Sequence, residues 1–336
     1  MKLDQLVKPK SIALVGFSAD SSRIGGRIYQ NLRFHGYGGK IYLINPKYDF
    51  VEGKRCYKSI NEIPDNVDVA LIALPAKQVG KVLKDVGERG IKAAIVFSSG
   101  FAEVGGDGPE KQRDLIEIAK EFDIALCGPN CVGIINFRDH IAMSFSQFLN
   151  VPKLIPGCIG FISQSGALGG SLLNKAQDAG VGFSTFISVG NEATLDFSDF
   201  IQYLVADDET KLIIGIVEGI RDGDKFLKAA HEALSKDKPI IILKLGKTEV
   251  GRGAAHSHTG SMAGSDIVYE AVFKQSGVIR VENLDDLYVV GSAFLKSIRP
   301  KGKRVGVLTS TGGGRSDPRR QTHRSRIRTS RPYLTK

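Results

Sequence analysis

The feature that most constrains the fold is an alternation, met twice along the chain, of short Val- and Ile-rich runs with longer amphipathic stretches. "SIALVG" (11–16), "KIYLIN" (40–45), "VDVALIAL" (67–74), "KAAIVF" (92–97) and "DIALCG" (123–128) read as buried parallel strands. Strands covered on both faces are near-continuously apolar. Between them, "AKQVGKVLKDVGERG" (76–90) and "PEKQRDLIEIAKEF" (109–122) keep helical spacing. This order predicts a doubly wound α/β sheet. A second series follows, with strand candidates "CIGFIS" (158–163), "GFSTFISVG" (182–190), "KLIIGIVEG" (211–219) and "PIIILKLG" (239–246), then helical stretches at 264–277 and 283–298.

These patterns set expected boundaries. A first domain covers 1–146, a linker with Pro152, Pro156 and Gly157 follows, and a second domain covers 157–300. "KRVGVLTSTGGG" (303–314) reads as the opening strand and glycine loop of a third domain that is not completed. After Gly314 only Ile327, Tyr333 and Leu334 are sizeable apolar residues, too few for a core. Residues 315–336 are therefore expected to be a basic, disordered tail, either a frameshift artefact or a real extension.

The 336 residues carry a net charge of +10, which raises the question of nucleic acid. The tail answers it: eight Lys or Arg stand against the single acid Asp317, and its +7 leaves only +3 to the other 314 residues. A near-neutral body without interleaved aromatics is a poor nucleic-acid surface. Four cysteines (Cys56, Cys127, Cys131, Cys158) are too irregular for a disulfide framework and lack zinc-like spacing, so no metal site is expected. No apolar run approaches a signal sequence or a membrane span, and a cytoplasmic location is the expectation.

Chemistry is sought at the carboxyl ends of the strands, where open α/β sheets place ligands. The first strand runs into "VGFSADSSRIGGRIYQNL", a glycine-bearing polar turn that opens a helix and offers backbone N–H groups to phosphate. The dinucleotide fingerprint G-x-G-x-x-G is absent, since Gly16 is followed only by Gly25 and Gly26. The acid expected after the second strand is replaced by Lys47 in "INPK". A cation there favours a phosphorylated ribose or pyrophosphate over NAD; the alternative is a solvated lysine on a plain connection. "FSSGFAEVGG" (97–106) and "CGPNCVGIIN" (127–136) also end strands, and Pro129 with Asn130 would form either a rigid ligand-facing turn or a simple Asx turn.

In the second half, "ISQSGALGGSLL" (162–173) is a strand passing straight into a helix. Ser163, Ser165 and the N–H groups of Gly166 and Ala167 are expected to converge on an anion; the alternative is an ordinary serine N-cap. Glu218 follows an apolar strand and could hold the Nδ1–H of a histidine, or simply be a loop acid. His256 and His258 stand in "AAHSHTGSMAG" (254–264), among residues too small to bury them. A neutral imidazole on such a segment, near an anion site and a carboxylate, is equipped to become a phosphohistidine.

Taken together, "SHTGSMAGS" (257–265), "SQSGA" (163–167), "EGI" (218–220) and "GPNCVG" (128–133) resemble the α subunit of the ADP-forming acyl-CoA synthetases, in the superfamily of succinyl-CoA synthetase. The resemblance spans roughly residues 1–314. It implies a Rossmann-like coenzyme A domain followed by a flavodoxin-like domain. It also implies His258 as the phosphorylated histidine with Glu218 as its partner, and Ser163, Ser165 and Gly166 at the phosphate site. Gly16, Ser18, Arg23 and Lys47 would lie near coenzyme A, and Asn130 near the thioester; His256 is a bystander. The implied reaction converts acyl-CoA and phosphate to acid and coenzyme A through an acyl phosphate and a phosphohistidine. ADP then becomes ATP, with Mg²⁺, on a separate ATP-grasp β subunit of an α2β2 assembly. The alternative is a non-catalytic coenzyme A-binding or regulatory protein, which would have no need of Ser165, Glu218 and His258. The acyl group, a small carboxylic acid, is set by pocket shape and not legible here.

Overall fold

The computed structural model describes residues 2–246 and 266–295, together with two short strands, Arg304–Val305 and Arg328–Thr329. The chain divides into a unit of residues 1–295 and a second of 296–336. In the second, Arg304–Val305 and Arg328–Thr329 pair in parallel.

In the first unit the N-terminal helix Lys2–Val7 precedes a seven-stranded sheet. Its strands are β1 (Ser11–Val15), β2 (Lys40–Ile44), β3 (Phe50–Val51), β4 (Lys54–Tyr57), β5 (Val69–Ile72), β6 (Ala93–Val96) and β7 (Ala125–Cys127), in spatial order 3-4-2-1-5-6-7. All pairs are parallel except β3 with β4. The helices Ile24–Phe34, Ala76–Glu88 and Gly108–Glu121 supply crossovers. Every residue of β1, β5 and β6 is buried, which is why those runs show no polar alternation. The order reverses between β1 and β5, opening a crevice at their carboxyl ends.

The second sheet contains β8 (Gly133–Asn136), β9 (Ile141–Ser144), β10 (Pro156–Ser163), β11 (Phe183–Ser188), β12 (Leu212–Val217), β13 (Ile240–Lys244) and β14 (Ile279–Val281), in order 14-13-12-10-11-8-9. Its five parallel strands, β10 to β14, have the doubly wound order of flavodoxin-like folds, with the reversal between β10 and β12. The helices Gly166–Asp178, Phe197–Ala206, Gly223–Ser235, Asp266–Gln275 and Leu284–Leu295 belong to this half.

The sheet boundary falls earlier than the expected domain boundary at 146. β8 and β9 pair with each other and, through β8, antiparallel with β11, with Ile134 opposite Ile187 and Ile135 opposite Phe186. Alternate residues of β8 point to opposite faces, so Ile134 and Ile135 enter different apolar clusters and neither is left in water. Phe137, just past β8, stacks on Phe183 with ring centroids 5.5 Å apart. Such a pair adds about 0.5–1.5 kcal/mol beyond its buried area. The stretch read as a linker also turns inward, with Phe148, Leu149 and Leu154 all buried. One apolar cluster runs through both sheets, from Leu14 and Leu43 to Ile162, Ile187 and Phe200. Between the two halves, Asn31 Nδ2 donates to the Ser144 carbonyl at 2.8 Å and His35 Nε2 meets the Leu149 carbonyl at 2.9 Å. Among the described residues no helix is long and apolar enough to cross a membrane, and no cluster of His, Cys, Asp and Glu is placed to hold a metal ion.

Candidate functional site

The turn after β1 depends on close backbone approach. Gly16 has φ +87°, and a Cβ there would lie 2.2 Å from the Ala73 carbonyl oxygen. A Cβ on Gly25 would lie 2.2 Å from the Gly16 oxygen, and one on Gly26 would lie 2.2 Å from the Asp20 oxygen. Gly25 and Gly26 thus let the helix Ile24–Phe34 seat against the turn, the service that a compact dinucleotide fingerprint gives elsewhere. Ser18 is buried and its hydroxyl accepts from Asp20 N at 3.1 Å. Arg23 is exposed at the head of the helix, with its Nε 3.6 Å from Asp20.

Gly16 and Lys47 line one cavity of about 630 Å³, together with Lys58, Lys77 and Lys81. Four ammonium groups around a glycine turn at a sheet's carboxyl edge suit a polyphosphate. Ser18 and Arg23 are not among its lining residues. Ser22, Ile24 and Arg27, beside Arg23, line a second cavity of about 580 Å³ whose far wall is Gly166, Ala167, Val132 and Ser146. This second cavity joins the glycine turn of the first sheet to the opening of the helix Gly166–Asp178.

At that opening the two serine hydroxyls are occupied by local structure. Ser163 is fully buried and its hydroxyl donates to the Ser165 carbonyl at 2.7 Å. Ser165 is the N-cap, its oxygen accepting from Leu168 N at 3.5 Å. The expected convergence of hydroxyls on an anion is therefore reduced: Gly166 and Ala167, at the positive end of the helix, line the cavity, while the Ser163 hydroxyl faces the protein.

Glu218 stands just past β12, next to β10 across the switch point of the second sheet, and is buried. Between these two strand ends lies Gln164, which the sequence reading passed over in favour of its flanking serines. It hydrogen-bonds the Glu218–Gly219 main chain and donates to Glu192 Oε1 at 3.0 Å. Glu192 has no exposed carboxyl. Burial pushes its pKa up to about 7, against the opposing pull of the Gln164 hydrogen bond and the Arg221 guanidinium, whose Nε is 3.5 Å away. Arg221 also donates to the carbonyls of Asn191 and Glu192, at 2.7 and 2.9 Å.

Asn130 follows a cis Gly128–Pro129 bond in the left-handed region, at φ 57°. Its backbone N–H reaches the Ser98 carbonyl at 2.9 Å and its Nδ2 donates to Asn191 Oδ1 at 3.2 Å. Asn191 in turn donates to Gln112 Oε1 at 3.0 Å and to the Glu103 carboxylate. The loops 97–106, 127–136 and 188–193 are thereby tied into one polar chain that ends at Glu192, Gln164 and Glu218. His256 and His258 lie outside the described residues.

The two halves of the chain match known families separately. Residues 10–136 match the family described as CoA binding domain, and residues 156–294 match the succinyl-CoA ligase like flavodoxin domain. The chain is 43% identical over 311 residues to the acetate–CoA ligase [ADP-forming] II subunit alpha of Pyrococcus furiosus, covering 93% of this chain and 66% of that protein. It is 40% identical to subunit alpha of the corresponding enzyme I of the same organism, covering 93% of this chain and 68% of that protein. Among solved structures, the dinucleotide forming acetyl-coenzyme A synthetase 1 of Ca. Korarchaeum cryptofilum, in complex with phosphate and ADP, superposes with a TM-score of 0.91 at 38% identity. That likeness covers 99% of this chain and 71% of the other. The chain belongs to the family of α subunits of ADP-forming acetate–CoA ligases.

Proposed function

We propose that this chain is the coenzyme A-binding subunit of a cytoplasmic ADP-forming acyl-CoA ligase. The observation that carries the reading is the cavity joining the first sheet's glycine turn to the helix end at Gly166 and Ala167, in a chain of this family. The lysine-lined crevice beside Gly16 would take the nucleotide phosphates of coenzyme A, with Lys47 beside the turn. Ser18 would shape that turn through Asp20, and Arg23, exposed at its end, would meet the cofactor. The helix end, with Ser165 as its cap and Ser163 beneath it, would hold phosphate on the N–H groups of Gly166 and Ala167. Asn130 would stand near the thioester.

In the forward direction a phosphate oxygen attacks the acyl carbonyl, the C–S bond breaks and coenzyme A leaves as thiolate, giving an acyl phosphate. An imidazole nitrogen of His258 then attacks phosphorus, the P–O bond to the acyl group breaks and the carboxylate leaves. Glu218 accepts the Nδ1–H of the ring and stabilises the charge it gains. The phosphoryl group passes to ADP, with Mg²⁺, on an ATP-grasp β subunit of an α2β2 assembly. Labelling with [³²P]acetyl phosphate, or with [γ-³²P]ATP and the β subunit, tests this. The label should be acid-labile and base-stable, absent in His258→Ala, largely kept in His256→Ala and reduced in Glu218→Gln. Label that survives in His258→Ala and vanishes in His256→Ala would overturn the assignment.

A further inference from the structure

A strand that has just ended usually leaves its next few N–H and C=O groups to backbone turns or water. Past β1 this is what happens, where the N–H groups of Gly16 and Phe17 both donate to the Ile44 carbonyl. Past β12 it is not. Gln164 Oε1 accepts from Glu218 N at 2.5 Å and from Gly219 N at 3.0 Å, and Gln164 Nε2 donates to the Gly219 carbonyl at 2.7 Å. Lys244 Nζ donates to the Glu218 carbonyl at 2.8 Å and to the Leu245 carbonyl at 2.5 Å. The Tyr269 hydroxyl accepts from Ile220 N at 3.0 Å, and the Lys244 ammonium lies 4.6 Å from the centre of the Tyr269 ring. Every main-chain polar group from Glu218 N to Ile220 N is thus held by a side chain. The three side chains are buried, with 8%, 2% and 8% exposure for Gln164, Lys244 and Tyr269.

Burying an ammonium is costly unless it is fully hydrogen-bonded, so ending a strand does not by itself account for Lys244. Its direction does, because it fixes the carbonyl of the residue whose carboxylate is to act. The three groups come from three elements: Gln164 from the β10 switch point, Lys244 from the last position of β13 and Tyr269 from the helix Asp266–Gln275. In the sequence, Lys244 and Tyr269 flank the segment that carries His258.

We infer that Gln164, Lys244 and Tyr269 are positioning residues that hold the Glu218–Ile220 backbone and so set the place of the Glu218 carboxylate. This rests on the reading of Glu218 as the partner of His258. Placement errors near 1 Å at a reacting centre cost up to about a hundredfold in rate, and such sites are held by locked surrounding groups.

The test uses the full chain with [³²P]acetyl phosphate as phosphoryl donor. Tyr269→Phe removes one acceptor and little else. We expect the Ile220 amide to exchange with deuterium about tenfold faster and the maximal labelling rate to fall about tenfold, with half-saturating acetyl phosphate and coenzyme A affinity unchanged. Gln164→Leu should do the same more severely across the Glu218–Ile220 peptide. Gln164→Glu, which keeps the acceptor for both N–H groups, should lie between. Where Gln164→Leu fails to fold, Tyr269→Phe decides. A Tyr269→Phe protein that labels at the wild-type rate, or one that loses rate and coenzyme A affinity together, would overturn the inference. Wild-type chain that takes no label would instead overturn the phosphohistidine reading, and deuterium exchange in the two variants would still decide whether the cradle holds Glu218.

Discussion

Replacing Glu192 with glutamine should change how stability depends on pH more than it changes stability itself. The Glu192 carboxyl is buried with Oε1 accepting from Gln164 Nε2 at 3.0 Å and Phe197 N at 2.9 Å, and its pKa is raised from 4.5 to about 7. The folded protein therefore holds a proton that the unfolded chain releases between those two values. Stability from this group is full below pH 4.5, falls as pH rises to about 7 and is level above that. At 1.36 kcal/mol for each unit of pKa the loss is about 3 kcal/mol, an upper figure for a group with an arginine beside it. Glutamine keeps an oxygen for both donors and cannot ionise. The Arg221 guanidinium loses its charged partner but keeps the Asn191 and Glu192 carbonyls, which adds an offset with no pH slope. Urea titrations of both proteins from about pH 5 to about pH 8 measure the difference, in which the other titrating groups, His35 among them, cancel. Near pH 5 about 1 kcal/mol of this is already lost beside the offset, so between pH 5 and pH 8 the variant should gain at most about 2–2.5 kcal/mol relative to wild type. Two stability curves that stay parallel within about 0.5 kcal/mol across the range would refute the reasoning.

Gly25→Ala places a methyl 2.2 Å from the Gly16 oxygen and should cost at least about 2 kcal/mol in urea unfolding and weaken coenzyme A binding. Gly80→Ala, whose nearest neighbour would be 3.9 Å away inside a helix, should instead stabilise by about 0.5–1 kcal/mol. Lys47→Glu should weaken coenzyme A about tenfold in calorimetry at low salt, with the loss shrinking as salt rises; NAD binding as tight as coenzyme A would contradict the reading of the cleft. Asn31→Leu leaves the buried Ser144 carbonyl without its 2.8 Å partner and should cost about 1–3 kcal/mol by thermal or urea unfolding.

The strands were legible because parallel, doubly covered strands are apolar throughout, and each of the nine quoted strand runs between residues 11 and 246 contains or overlaps a strand of the fold. The hairpin β8–β9 was harder to place. Its alternation says that both faces are covered, but not by which sheet, and its partner β11 lies beyond a stretch whose prolines read as a linker. Within the candidate site, Gly16 and Lys47 stand out from sequence because each departs from a known pattern at a strand end. Gln164 was hidden by the serines around it, and its amide matters only once β10 and β12 are neighbours. Lys244 left a readable signal, a charged residue inside the apolar run "IIILKLG", since a strand position buried on both faces must give an ammonium specific acceptors. Glu192 left none: a glutamate after a strand is ordinarily solvated, and only the packing of Phe197 and Arg221 around it makes it otherwise.

The loan of β8 and β9 to the second sheet has a consequence during synthesis. Residues 133–144 leave the ribosome well before β11, the strand at 183–188 against which β8 pairs. At about 5–20 residues per second, the interval of roughly 40 residues lasts about 2–8 s. Throughout it the first sheet can close and cover Ile134 and Met143, yet Ile135 and Ala142, which pack with the second half's residues, have nowhere to go. A nascent chain halted at residue 146 should therefore offer this hairpin to chaperones and proteases, while one extended through residue 295 should protect it. The first half of the molecule is thus born owing two strands to a partner not yet made.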